Sequence, residues 1–215
     1  MPERNLDLTW RVSYELEGDD SGEILILLHG FGQRGAVIQT KLQPFLKNME
    51  AMRIAPDAPF PIPEKTAGGF RLGFTWYFFD PKTGIYHVDM QQAVTQVSAL
   101  VRAMDWWHRP KRVIGYSQGG YLAPFVGLAL ERVTQVIGIN CRFRAESLTG
   151  KLPFRLDAVH GARDLMVDPK RAASCHGEIL ERGNEGEFHL VEGAGHGIGD
   201  DIGRAVERQI LNFSI

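Results

Sequence analysis

Short apolar runs that alternate with helical patterns constrain the fold of this chain more than any other feature. The run at residues 23–29 is apolar on both faces, as expected for a strand covered on both sides of a parallel sheet. Comparable runs follow at residues 52–55, 112–115, 136–140, 156–160 and 188–191. We therefore expect an α/β fold with a mostly parallel central sheet and helices on both faces, preceded by an outer strand at residues 8–14.

Length, charge and cysteine content exclude several classes of protein. A chain of 215 residues suits one compact core, so residues 1–215 are expected to form a single domain. The net charge is -2 with both signs interspersed, which predicts no binding to nucleic acid. The sequence contains no long apolar run that would predict export or membrane insertion, so the protein is expected in the cytoplasm. Cys141 and Cys175 lack metal-ligand spacing, which predicts reduced thiols and no metal site.

Two segments carry clear local patterns. Apolar residues recur at helical spacing from Met90 to Met104. Asp89 is the predicted N-cap of that helix, with Gln92 at the capping-box position. Residues 56–80 contain repeated prolines, a Gly-Gly pair and many aromatic side chains, which predicts a long ordered loop. No insertion is large enough for a separate lid domain, so we expect an open site.

The candidate nucleophile is Ser117, in a G-x-S-x-G motif that joins the strand at residues 112–115 to a helical pattern at residues 121–130. A serine on such a sharp turn needs small neighbours, which Gly115 and Gly119 supply. The amides at the start of the following helix would stabilise a developing oxyanion. The alternative is a serine that only caps this helix.

A serine hydroxyl needs a neighbouring base to remove its proton, and the chain has seven histidines. His196 is the predicted base, because its glycine-rich loop directly follows the strand at residues 188–191 and so lies at the carboxyl edge of the sheet. The other histidines are disfavoured by chain order or by a place in a strand, a helix or a helix exit: His29, His87, His108, His160, His176 and His189.

The acid that orients the histidine should lie between the serine and the histidine, in a loop after an intermediate strand. Asp164 meets this condition, after the strand at residues 156–160. Asp168 is the alternative, although the proline that follows it explains this aspartate as a helix N-cap. His160 is expected to brace the same loop.

Five motifs in a fixed order carry a resemblance to a known family: residues 28–32 (Leu-His-Gly-Phe-Gly), 56–59 (Pro-Asp-Ala-Pro), 115–120 (Gly-Tyr-Ser-Gln-Gly-Gly), 160–164 (His-Gly-Ala-Arg-Asp, followed by Val167) and 195–196 (Gly-His). With them the chain resembles the phospholipase/carboxylesterase family of α/β-hydrolases, which includes acyl-protein thioesterases and small bacterial carboxylesterases. The resemblance covers almost the whole chain. It implies the α/β-hydrolase fold.

The resemblance also implies roles for individual residues. Ser117, Asp164 and His196 take the triad roles, in agreement with the analysis of the residues themselves. The backbone N–H groups of Phe31 and Gln118 would form the oxyanion hole, unless Phe31 is an ordinary core residue. No metal and no organic cofactor is required.

The chain departs from the family pattern around the substrate. The family often has Leu-Gly-Asp where this chain has Phe31, Gly32 and Gln33. A Ser-Gly or Ser-Cys pair leading into Trp-Leu-Pro is common where residues 140–144 read Asn-Cys-Arg-Phe-Arg. Positions near the aromatic segment and in this stretch resemble the acyl-pocket walls, so Trp76 and Phe143 are the expected substrate contacts.

Together these features predict a serine hydrolase that cleaves small-molecule carboxylic esters of short to medium acyl chains through an acyl-enzyme. Acyl-thioesterase and lysophospholipase activities are alternatives within the same chemistry. A non-catalytic ligand receptor is an alternative from a different class, since a fold does not determine a function.

Overall fold

The computed structural model describes residues 11–20 and 22–213. The strands are β1 (Tyr14–Gly18), β2 (Glu23–Leu28), β3 (Ala51–Pro56), β4 (Phe60–Thr66), β5 (Gly69–Thr75), β6 (Phe78–Asp80), β7 (Ile85–Val88), β8 (Lys111–Tyr116), β9 (Val133–Ile139), β10 (Arg155–Gly161) and β11 (Phe188–Val191). The helices are α1 (Gly35–Leu46), α2 (Gln91–Ala103), α3 (Gln118–Ala129), α4 (Pro169–Leu180) and α5 (Asp200–Leu211).

The central sheet has seven strands in the described part of the chain, in the order β1-β3-β2-β8-β9-β10-β11. Strand β1 pairs antiparallel with β3, and the remaining neighbours are parallel. The mostly parallel sheet predicted from the apolar runs is therefore confirmed. The outer strand is Tyr14–Gly18 instead of residues 8–14, of which positions 8–10 lie outside the described residues.

Helices cover both faces of this sheet, as predicted. One face buries apolar residues of α2 and α3, with Cys175 and Ile179 of α4, against alternate side chains of the strands. The other face packs α1 and α5 against the intervening strand residues, such as Leu25 and Leu27. Burial on both faces explains why the central strands have continuous apolar sequences instead of alternating ones. No helix of the described residues is long and apolar enough to cross a bilayer.

Residues 56–80 are not the long loop predicted from the prolines. Strands β4 and β5 form an antiparallel ribbon, and β6 pairs with β7 in a second one. Pro61 and Pro63 are tolerated in β4 because, in a two-stranded ribbon, each strand has a free edge where a missing N–H costs no ladder hydrogen bond. Residues 67 and 68 form the turn between the two strands of the first ribbon, and Gly69, at φ +126°, follows the turn as the first residue of β5.

The start of α2 also differs from its prediction by one residue. The helix begins at Gln91, and its N-cap is Met90, which has no side-chain cap hydrogen bond. The Asp89 carboxylate still accepts a hydrogen bond from the Gln91 amide, at 2.9 Å. The predicted apolar face of this helix is confirmed, since Val94, Val97 and neighbouring residues lie in the core.

The parallel strands deliver their carboxyl ends to one edge of the sheet, where loops of an open α/β sheet bind ligands. Strand β2 leads into residues 29–34, β8 into Ser117, β9 into Asn140, and β10 into the loop that contains Asp164. Segments far apart in the sequence therefore meet above the centre of the sheet.

Candidate active site

Ser117 lies in a strained turn between β8 and α3. Its φ of 49° and ψ of −116° are unusual for a residue with a side chain, and such conformations persist only where the surroundings impose them. The Ser117 amide donates to the carbonyl of Ile139, at 2.9 Å, which fixes the turn to β9. The Ser117 side chain makes no capping hydrogen bond to α3. A helix-capping role therefore does not account for this serine.

The glycines of the motif allow backbone segments to approach closely. A Cβ atom on Gly115 would lie 2.2 Å from the carbonyl oxygen of Gly119. A Cβ atom on Gly119 would lie 2.2 Å from the carbonyl oxygen of Leu28 and 2.7 Å from that of His29. The small neighbours predicted for this turn are thus required by contacts with backbone, which has no flexible end that could move away.

The structure brings Ser117, His196 and Asp164 together in a hydrogen-bonded row. The Nε2 atom of His196 lies 3.0 Å from Oγ of Ser117, and its Nδ1 atom lies 2.8 Å from Oδ2 of Asp164. Because a carboxylate only accepts hydrogen bonds, Nδ1 of His196 carries the proton and Nε2 is free to accept one from the serine hydroxyl. This is the arrangement that a general base for a serine nucleophile requires.

Asp164 is held ionised by its own loop. Its Oδ1 atom accepts from the amides of Met166 and Val167, at 2.8 and 3.0 Å. Burial by itself raises the pKa of Asp164, but the hydrogen bonds from His196 and from these amides outweigh it and hold the pKa below its ordinary value. The carboxylate therefore stays charged and can stabilise an imidazolium next to it.

His160 braces this loop, as the sequence analysis expects. Its Nε2 atom lies 3.1 Å from the carbonyl oxygen of Val167 and 3.2 Å from Oδ2 of Asp164. Burial is the main cause that lowers the pKa of His160, so the ring is neutral near neutral pH and donates from Nε2 to the Val167 carbonyl, next to the Asp164 carboxylate. Asp168, the alternative acid, instead accepts from the Lys170 amide as the N-cap of α4.

Asn140 is a supporting residue that the sequence analysis did not identify. Its fully buried side chain donates to the carbonyl oxygens of Gly195 and His196, at 3.2 and 2.5 Å, and accepts from the Gly161 amide, at 2.8 Å. It therefore ties the loop of the base to the strand that carries the acid. The sequence signal was its position directly after a buried strand, where the chain departs from the family pattern.

The predicted oxyanion-hole amides belong to two loops that meet at the carboxyl edge of the sheet. Gln118 is the first residue of α3, so its N–H has no acceptor within the helix. Within residues 11–20 and 22–213, the amides of Phe31 and Gln118 donate no hydrogen bond to another residue. The Phe31 side chain is 59% exposed and is not a core residue.

The loop around Phe31 is fixed by its neighbours. The Gly32 amide donates to the carbonyl of Phe74 in β5, at 2.9 Å, and the Phe74 amide donates to the carbonyl of Gln33, at 3.0 Å. The Gln33 side chain closes the turn by accepting from the Gly30 amide, at 3.2 Å. The first ribbon and the loop with Phe31 are therefore joined by backbone hydrogen bonds.

The half-buried side chain of Gln118 and the buried side chain of His29 connect the aromatic segment to the edge of the sheet that carries the candidate site. The Gln118 side chain accepts from the Trp76 amide, at 3.1 Å, and donates to the Tyr77 carbonyl, at 2.9 Å. His29 donates from Nδ1 to the Gly30 carbonyl, at 2.8 Å, and accepts at Nε2 from the Ala58 amide, at 3.1 Å. Burial lowers the pKa of His29 to about 4, so the ring is neutral near neutral pH.

Trp76 and Phe143 do not fit the substrate-binding role predicted for them. Trp76 is 0% exposed and Phe143 is 1% exposed, so neither side chain presents a surface to a ligand. The Trp76 indole donates to the His29 carbonyl, at 2.8 Å, and Phe143 packs near His176. Both side chains stabilise the core beneath the site, and this corrects the prediction.

Exposed apolar side chains instead come from the loops that carry the site. Leu165 and Met166, directly after Asp164, are 98% and 78% exposed, and Phe31 lies on the loop of the predicted oxyanion hole. Exposed apolar groups at a site mark surface that a ligand can bury. The exposure of Leu165 and Met166 could not be predicted from the sequence, because an apolar residue in a loop does not reveal which way its side chain points.

The strand order, the serine turn and the hydrogen-bonded row together define an α/β-hydrolase fold. The profile of the Phospholipase/Carboxylesterase family matches residues 15–210. The chain therefore belongs to this family, as the motifs predicted. No curated protein sequence matches the chain significantly.

Solved structures with this fold include several hydrolases. Esterase PE8 has a TM-score of 0.72 at 21% identity, covering 94% of this chain and 99% of its own. Acyl-protein thioesterase 2 of Zea mays has a TM-score of 0.69 at 16% identity, covering 93% and 98%. A carboxylesterase from Mesorhizobium loti has a TM-score of 0.67 at 20% identity, covering 92% and 93%. These likenesses extend over nearly the whole fold.

Replacing Asn140 should shift His196, the proposed base, and leave all three side chains of the candidate triad present. We expect Asn140→Ala to lower kcat for ester hydrolysis by about tenfold or more with little change in KM, because small shifts of a catalytic group are costly. Steady-state kinetics with a pH profile measures this. Asn184→Ala is the matched control, because Asn184 also bonds backbone groups, at Leu152 and Ile179, but touches no triad residue. An equal loss of kcat in both variants would contradict the positioning role.

Protonation of His29 should destabilise the protein in mild acid. A folded-state pKa of about 4 lies below the unfolded value of 6.5, so the unfolded chain binds more protons between these values. The contribution of neutral His29 to the free energy of unfolding should be fully present well above pH 6.5, and about 3 kcal/mol of it should be lost as the pH falls towards 4. Urea unfolding at a series of pH values should show that the free energy of unfolding depends less steeply on pH in His29→Asn than in wild type. His108→Gln, at an exposed histidine, should keep the wild-type slope.

Proposed function

We propose that this protein is a serine hydrolase that cleaves carboxylic esters of short to medium acyl chains through an acyl-enzyme. The observation that carries the proposal is the continuous row from Asp164 through His196 to Ser117, with hydrogen bonds of 2.8 and 3.0 Å. Membership of the Phospholipase/Carboxylesterase family supports the same class of reaction.

Acylation begins at the serine hydroxyl. Nε2 of His196 takes the proton of Ser117 as Oγ attacks the ester carbonyl, and Asp164 stabilises the imidazolium that forms. The amides of Phe31 and Gln118 then donate to the tetrahedral oxyanion. Fixed donors of this kind usually make the largest electrostatic contribution to acyl transfer.

Acylation ends when His196 gives this proton to the oxygen of the departing alcohol, and the C–O bond of the ester breaks to leave the acyl group on Ser117. In deacylation His196 removes a proton from water as the water oxygen attacks the acyl-enzyme. His196 then returns this proton to Oγ of Ser117 as the bond between Oγ and the acyl carbon breaks, which releases the carboxylic acid and restores the serine. The residues assigned to this cycle include no metal ligand and no cofactor contact.

The acyl chain is proposed to lie against the exposed apolar side chains of Phe31, Leu165 and Met166. Their open arrangement favours chains that are long enough to cover this surface and short enough to stay on it. Each methylene buried there contributes up to about 0.8 kcal/mol. Methylene groups that extend beyond the apolar surface stay in water and contribute nothing to the free energy of binding.

Thioesters and lysophospholipids are the second candidate substrates, because the same acyl-enzyme serves a thiol or an alcohol leaving group. The fold shared with the maize acyl-protein thioesterase is compatible with this alternative. A non-catalytic receptor is a weaker candidate, since the strained Ser117 backbone costs about 1–3 kcal/mol without benefit to simple binding. The proposed compartment is the cytoplasm, where the buried free thiols of Cys141 and Cys175 would stay reduced.

Removing the nucleophile tests the proposal directly. Ser117→Ala should lower ester hydrolysis by about 10⁴-fold or more and abolish covalent labelling by a fluorophosphonate, because no other group would take the acyl chain. Intact-mass spectrometry measures the labelling, and circular dichroism checks the fold. Ser147→Ala, at an exposed serine, should behave as wild type. Labelling that persists in Ser117→Ala would contradict the assignment.

Chain-length preference tests the proposed acyl surface. We expect kcat/KM for aryl esters to rise from acetyl to octanoyl and to fall for palmitoyl, as the apolar contact is filled and then exceeded. Leu165→Ser should reduce the octanoyl rate and leave the acetyl rate unchanged. Leu128→Ser, at an exposed leucine of α3, is the control and should change neither rate. Matched thioesters in the same assay separate the two leaving-group classes.

A further inference from the structure

A cleft of about 430 Å³ opens beside the triad, between α1 and the loop that carries His196. This volume lies within the range of small-molecule sites. One wall is the face of α1 with Val37, Ile38 and Lys41, and the other is residues 195 and 197–199. The cleft is separate from the exposed apolar side chains proposed to hold the acyl chain.

Its floor connects the cleft to the reacting groups. Tyr116 lines the cleft and immediately precedes Ser117 in the chain. The Tyr116 ring lies 5.4 Å from the ring of His196, measured between centroids. The leaving group departs from the acyl carbon at Ser117 and receives the proton of His196. It would therefore enter this cleft, because the residues on both sides of His196 form a wall of the cleft.

The charge of the cleft favours an anion. Lys41 is the single charged side chain among the described residues that line it. Gln33 also lines the cleft, and its side chain is uncharged. The nearest acid along the loop, Asp200, is directed to Arg204, at 3.5 Å.

Lys41 has no partner on its own helix. The positions three and four residues away, where a helical ion pair would form, are Val37, Ile38, Pro44 and Phe45. No ion pair of Lys41 occurs within the described ranges, 11–20 and 22–213. Its ammonium group is therefore available to a ligand that lies along the apolar wall formed by Val37 and Ile38.

From these contacts we propose that the cleft binds the leaving-group half of the substrate and that Lys41 pairs with a carboxylate or phosphate on that half. This inference rests on the proposed serine hydrolase function and narrows its substrate class to esters or thioesters of an anionic alcohol or thiol. Val37, Ile38 and Ile198 contact the uncharged stem of the leaving group. The acyl chain is left to the exposed side chains of Phe31, Leu165 and Met166, which do not line the cleft.

Two acetyl esters with leaving groups of the same shape test the proposal: those of meta-hydroxybenzoate, which is anionic, and meta-hydroxybenzamide, which is neutral. Wild type should prefer the anionic ester by about two- to fivefold in kcat/KM, the range of a partly exposed ion pair. The preference should lie in KM and should shrink at high salt, because salt screens an exposed charge pair.

Substitutions of lysine assign the preference to one side chain. Lys41→Met should abolish it, and Lys41→Glu should invert it. Lys47→Met is the matched control, because Lys47 follows α1, is exposed and does not line the cleft. Equal rates for the two esters in wild type, or an equal loss of preference in Lys41→Met and Lys47→Met, would overturn the inference.

Failure of the broader proposal gives a different result. If wild type hydrolyses neither ester faster than Ser117→Ala does, the serine hydrolase function is wrong. An NMR titration then measures the affinity of Ser117→Ala for meta-hydroxybenzoate and tests the anion site independently of catalysis. A several-fold weaker affinity after adding Lys41→Glu supports the anion site, and an unchanged affinity rejects it.

Discussion

The close approach of backbone segments around Ser117 is the constraint on which the rest of the site depends. The carbonyl oxygens of Gly119, Leu28 and His29 occupy the space that a side chain on either motif glycine would need. This packing holds Ser117 at a φ that other surroundings would not maintain. It also sets where α3 begins, and hence where the Gln118 amide points. The proposed nucleophile and the proposed oxyanion donor are consequently positioned by the same backbone packing.

Around this turn, buried and half-buried polar side chains connect loops that the sheet alone would leave independent. Asn140 joins the loop of His196 to the end of β10, and His160 joins the carboxylate of Asp164 to the carbonyl of Val167. The Gln118 side chain ties the start of α3 to the aromatic segment. A buried polar group is costly unless it is paired, so each of these side chains specifies one arrangement of its loops. The reacting groups are therefore positioned before a substrate arrives.

Features set by local sequence could be predicted, and those set by distant partners could not. Apolar runs located the central strands. Chain order at the carboxyl edge predicted that Ser117, Asp164 and His196 lie together, and in the structure they form one hydrogen-bonded row. The prolines of residues 56–80 suggested a loop because the free edge of a ribbon is not visible in sequence. Trp76 was expected at a surface because an aromatic residue does not reveal its direction. Asn140 was missed because all hydrogen-bond partners of its side chain lie at least 21 residues away.

The backbone hydrogen bonds between the loop of Phe31 and the ribbon of β4 and β5 place one half of the proposed oxyanion hole under the control of a segment some forty residues further along the chain. In the proposed mechanism, the shape of that ribbon would therefore affect the rate of acyl transfer. Divergence within the ribbon would retune turnover among relatives while the three reacting side chains stay identical. Alignments that compare only those three would overlook this source of variation.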